Sequence, residues 1–179
     1  MALLAFIFVA LAVALRLLPH PFHFTPIAAS LLFFGAKVDR KWMWALPVAA
    51  IVASDVYLTL VRYQLDFSWT YLAVSVLWYS AMVWLGSMLA KRESALRIAG
   101  ASLAASITFF LVTNASSPWI IPNTYPHSLS GVLQALAAGV PFFRNTMVSD
   151  LFFTAVAFGT PYVIAAFERH TAQDTAATA

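Results

Sequence analysis

Residues 42–61, 69–90, 96–113 and 147–167 are long apolar stretches that carry at most one charged side chain each. About 20 helical residues cross a hydrocarbon layer roughly 30 Å thick. Inside lipid every backbone N–H and C=O needs a partner, and only helices and closed barrels supply them all. A barrel strand needs about ten residues of alternating polarity, and no such alternation is sustained here. The stretches therefore predict transmembrane helices. Two shorter apolar runs, 2–18 and 26–36, raise the expected total to about six spans.

Composition agrees: 62% of residues are hydrophobic and 9% are charged, against roughly 25% charged in soluble domains. The expected fold is all-α, a compact transmembrane bundle forming one domain over residues 1–167. Residues 168–179, polar and rich in small side chains, are expected to form a disordered cytoplasmic tail. Between spans five and six, residues 114–146 are rich in Pro, Asn and Ser and read as a loop. Within it, residues 131–140 are expected to form a short interfacial or re-entrant helix. Run 26–36 is short for a crossing, so it is tilted, extended through Phe22–Phe24, or re-entrant. Run 2–18 lacks a Lys or Arg before its apolar part, as a signal peptide would have, and is read as span one.

Basic residues set the orientation. Lys37, Arg40 and Lys41 follow span two, and Lys91, Arg92 and Arg97 fall around the start of span five. By the positive-inside rule both loops are cytoplasmic, and with six spans both termini lie inside too. The expected location is a bacterial inner membrane. The net charge of +3 is dispersed between apolar runs, so no nucleic-acid surface is expected.

Polar residues inside apolar spans carry the functional information. An ionised Asp at a span centre costs about 2.5–3.5 kcal/mol and persists when paired, hydrated or needed. Asp55 in span three and Asp150 in span six are such residues. Arg16, Asn114, Arg144 and Asn145 fall near the same outer level, and Trp119 lies in the outer loop. These seven are the expected solute-binding residues. The same charges also fit ion pairs that only staple helices together. His20, His23 and His127 occupy outer loops and form a weak metal candidate. No cofactor is expected. There is no phosphate-binding Gly-x-x-x-x-Gly-Lys-Ser/Thr loop, zinc helix or nucleophile elbow, so no enzyme is expected. Ala10 and Ala14 stand one turn apart on span one, a spacing that lets another helix approach closely. They pack either within the bundle or against a scaffold subunit or a second copy.

Three elements carry a resemblance: Arg16-Leu-Leu-Pro-His-Pro-x-x-Phe-Thr-Pro-Ile-Ala-Ala, Phe109-Phe-x-x-Thr-Asn114, and Pro141-Phe-Phe-Arg-Asn-Thr-Met-Val-Ser-Asp-Leu. From Arg16 to about residue 165 the chain resembles a family of small uncharacterised bacterial membrane proteins that carries a transport label. More distantly, the layout resembles substrate-binding S-components of energy-coupling-factor vitamin transporters. That likeness implies about six helices, internal termini, an outward-facing solute site and a docking face on helix one. Only Ala10 and Ala14 match its alanine motif, and Phe6 interrupts the stripe.

Overall fold

The computed structural model describes residues 1–18, 25–121 and 123–178. Among them there is no strand, and six α-helices form the bundle: α1 (Ala2–Leu17), α2 (Ile27–Lys37), α3 (Ala45–Tyr57), α4 (Trp69–Leu89), α5 (Ala95–Ile120) and α6 (Leu129–Thr178). A 3-10 turn, Lys41–Trp44, leads into α3, and a π-helical segment, Leu58–Arg62, follows it. Counted through those turns, Lys41–Arg62 is one continuous apolar helix. It and α4, α5 and most of α6 are long and apolar enough to cross a membrane.

The short second run is the centre of the fold. α2 has 11 residues, and every one from Ala28 to Ala36 is buried. At about 1.5 Å per residue it spans only about half the hydrocarbon layer. It packs against all five other helices, so its polar backbone never meets lipid tails. Phe6 meets Phe34, Phe8 meets Phe33, and Phe33 meets Phe158, each edge to face.

Of its neighbours, α2 packs most extensively on α4. A Cβ added at Gly35 would collide with the carbonyl oxygen of Val83, and one at Gly86 with that of Leu32. The two glycines face opposite partners across one crossing, which lets the backbones touch. At one end of this crossing Lys37 pairs with Glu93 at 2.5 Å. That contact puts the two basic loops at the same end of the bundle, as the charge pattern predicts.

Two segments differ from expectation. Residues 114–120 continue α5 through Pro118. The side chains of Thr113, Asn114, Ser116 and Ser117 each bond a carbonyl one turn back, on Phe109, Phe110, Val112 and Thr113. Polar groups that signal a loop in water are thus satisfied within the helix. Residues 131–140 are helical but are not a separate short helix. They are the first turns of α6, which passes through Pro141 and Pro161 and continues past Glu168 to Thr178. With α5 ending at Ile120 and α6 beginning at Leu129, the two helices take up most of the loop expected.

On α1, Ala5, Val9 and Ala12 face the core. Ala10 and Ala14 are exposed on the opposite side, so this pair does not pack within the bundle.

Candidate functional site

Arg16, in the last turn of α1, meets Asp55 of α3 in an ion pair between its Nη2 and the Asp55 Oδ1. Two tyrosines of α4 complete the cluster. Tyr79 OH donates to Asp55 Oδ2 at 2.8 Å, and Tyr71 OH donates to Oδ1 at 3.3 Å. Arg16 Nη1 in turn donates to Tyr79 OH at 3.5 Å. Both carboxylate oxygens are therefore engaged, and Asp55 is 2% exposed. A charge-assisted network of this kind is strong only while it is complete.

Local sequence places these groups. Tyr71, Ser75 and Tyr79 recur every four residues, so they form one polar stripe along α4. Ser68 caps α4 by accepting from the Tyr71 backbone N–H at 3.2 Å, which fixes the first turn beneath the phenol. Past Asp55 the helix widens into its π segment, with Tyr63 N–H bonded to Leu58 O at 2.8 Å. Such segments recur at functional sites. A cleft beside the cluster is lined by Asp55, Thr59, Ser68, Tyr71 and Ser75, with Val56, Phe67 and Leu72. Its volume of about 10 Å³ is that of a single water.

Asp150 is elsewhere. On α6 it is 4% exposed, and Ser106 Oγ of α5 donates to its Oδ2 at 2.7 Å. One turn on, Thr154 Oγ1 donates to Ser102 Oγ at 3.2 Å. α2 packs between α4 and α6 and separates this site from the Asp55 cluster.

The seven expected site residues thus divide. Arg16 and Asp55 come together. Asp150 has one hydroxyl partner, Ser106, and no ion pair among the described residues. Arg144 and Asn145 are exposed on α6 and join neither cluster. Asn114 bonds the Phe110 carbonyl of its own helix at 2.8 Å and sits where α5 meets Gly139 of α6. Trp119, half exposed, stacks on His127 with ring centroids 6.1 Å apart. His20 and His23 lie outside the described residues. Among the described residues no three His, Cys, Asp or Glu side chains come together.

Sequence reasoning missed Tyr71, Tyr79, Ser102, Ser106 and Thr154. The available signal was the four-residue spacing of 71/75/79 on α4, 102/106 on α5 and 150/154 on α6, each a polar stripe on an apolar helix.

No curated protein and no solved structure matches this chain. A family model described as a family of unknown function, DUF6580, matches residues 1–173. With nearly its whole length covered, the chain belongs to that family.

Proposed function

We propose that this chain is a membrane transport component that captures a small polar solute from the outer face at the Arg16–Asp55–Tyr71–Tyr79 cluster. The observation that carries the reading is the convergence of three helices on one acid, one arginine and two phenols beside a hydroxyl-lined cleft. The basic loops at the Lys37 end are cytoplasmic in this reading, the cleft opens outward, and both termini lie inside. In this reading the paired charges and the narrow cleft are the closed form of the site.

The chemistry favours a zwitterion. Separating a buried ion pair leaves two uncompensated charges, each costly in a low dielectric. A solute carrying one anionic and one cationic group replaces Asp55 at Arg16 and Arg16 at Asp55 with no net change in buried charge. The tyrosine hydroxyls, each donor and acceptor, then have a carboxylate or an ammonium to bond.

A second reading is favoured by the closed pair and the water-sized cleft: the cluster staples α1 to α3 and α4 and binds nothing. Ligand-induced stabilisation separates the two. Purified protein in detergent is melted in the presence of small zwitterions, matched anions, matched amines and neutral polyols. The transport reading expects a rise in melting temperature with one or more zwitterions, lost in Tyr71→Phe, a change that removes one hydroxyl. No stabilisation by any zwitterion, together with no small molecule co-purifying by mass spectrometry, supports the staple.

A further inference from the structure

Asp55 and Asp150 are both carboxylates buried within apolar helices, yet they are balanced differently. Asp55 has Arg16. Asp150 has a serine hydroxyl and no cationic partner among the described residues. An intramembrane carboxylate without a counter-charge is retained where it is neutralised by something else or takes part in function.

Around Asp150 the oxygens are concentrated. Ser102 and Ser106 are 0% exposed and Thr154 is 2% exposed. Ser106 Oγ reaches Asp150 at 2.7 Å and lies 3.2 Å from the Ser102 carbonyl, and Thr154 Oγ1 lies 3.2 Å from Ser102 Oγ. Two facing helices therefore present one carboxylate, three hydroxyls and a carbonyl over a single turn each. Hard cations take oxygen ligands of this kind, and a single negative charge matches a single positive one.

The cluster also has an approach. A groove of about 410 Å³ runs between the start of α5 and α6, lined by Ser94, Ile98, Leu151, Thr154, Phe158 and Tyr162 among others. Thr154 belongs both to the groove wall and to the hydroxyl cluster. Ser94 caps α5 next to Glu93, so the groove reaches the Lys37–Glu93 end. The charges that bear on Asp150 from the packed elements lie further off. Lys37 of α2 sits 5.9 Å from the Phe158 ring and is held by Glu93. Arg97 of α5 and Arg144 of α6 are exposed. Just before α2, the Thr25 carbonyl accepts from Ser149 at 3.1 Å.

We propose that Asp150, Ser106, Ser102 and Thr154 form a site for one monovalent cation, a sodium ion or a proton, entered through this groove from the Lys37 end. The site stands whether or not the Asp55 cluster binds a solute. A coupled transporter would use it as its ion site.

Dicyclohexylcarbodiimide tests it on the full chain in detergent. The carboxylic acid adds across a C=N bond of the reagent, and acyl migration leaves a stable N-acylurea without any redox step. Peptide mass spectrometry then reads each acid separately. A sodium site predicts an adduct on Asp150 that falls as sodium rises at fixed pH. A proton site predicts an adduct that falls as pH rises and ignores sodium. Thr154→Val, which removes one ligand oxygen from the groove side, should weaken sodium protection by about tenfold, an ion–oxygen contact being taken as comparable to a hydrogen bond to a charged group. If the proton is the ligand, the same change should alter the rate at which Asp150 is labelled. Ser80→Ala, whose hydroxyl bonds only its own helix, should change neither. Asp150 left unlabelled in folded protein, labelled without regard to pH or sodium, or labelled less than Asp55 overturns the proposal. So does a folded Thr154→Val protein identical to the native one.

Discussion

Replacing Asp55 with asparagine is expected to lower the melting temperature by roughly 10 °C, the largest single effect at the Arg16–Asp55 cluster. The Arg16 side chain is 16% exposed, so the change strands a mostly buried guanidinium among phenols. Breaking one half of such a pair costs about 3–5 kcal/mol, and a kcal/mol is worth about 2–4 °C in a chain of this size. Arg16→Gln should cost a similar amount by stranding the carboxylate, which keeps only its two tyrosine hydroxyls. Because the two residues share one interaction, their effects do not add. The double variant should recover most of the stability. It should not recover stabilisation by a zwitterion, since both recognition groups are gone. An Asp55→Asn protein that melts within a degree or two of the native one would mean the pair does not hold α1 to α3.

Gly86→Ala is expected to be nearly as damaging, although it adds a single methyl group. The new Cβ would meet the carbonyl oxygen and Cα of Leu32, which are backbone atoms of a helix buried on every side. α2 cannot shift away without pressing on its other neighbours. Overpacking of a well-packed core costs about 1–3 kcal/mol, and a backbone collision places this site at or above the upper end. Gly35→Ala, facing Val83 from the other side, should behave alike. Gly100 supplies the control. A Cβ there meets nothing within 4 Å, so Gly100→Ala should be neutral or should stabilise by up to about 1 kcal/mol through helix propensity. Thermal unfolding of the three variants in one detergent reads the difference. Equal melting temperatures for Gly86→Ala and Gly100→Ala would contradict the close α2–α4 crossing.

Much of the fold was legible because lipid restricts the options. Apolar length and sparse charge gave the helical class, and the basic residues at 37–41 and 91–97 gave loops that the Lys37–Glu93 pair joins. Boundaries within residues 114–146 were not legible. Pro118, Pro141 and the Asn and Ser residues signal turns in water, whereas here the helix satisfies its polar side chains internally and tolerates proline as membrane helices do. The central position of α2 was also hidden. A largely apolar run of 11 residues is too short to span, and nothing local says that five other helices enclose it.

The candidate site was legible in part for a related reason. Sequence depth placed Asp55 with Arg16, and they pair. The same argument placed Arg144 near Asp150, yet Arg144 faces out from α6. Depth alone does not fix which side of a helix a residue occupies. The tyrosines escaped notice because apolar spans carry aromatic residues routinely, and only their register with Ser75 sets them apart.

In the proposed transport cycle the cleft beside Asp55 is entered from the outer face. Thr59 lines that cleft and is partly exposed, and the chain has no cysteine of its own. A Thr59→Cys protein therefore reports a single thiol. A membrane-impermeant thiosulfonate added to intact cells is expected to modify it, and any zwitterion which raises the melting temperature is expected to slow the reaction. Modification only from the cytoplasmic side, in inverted vesicles, would contradict it.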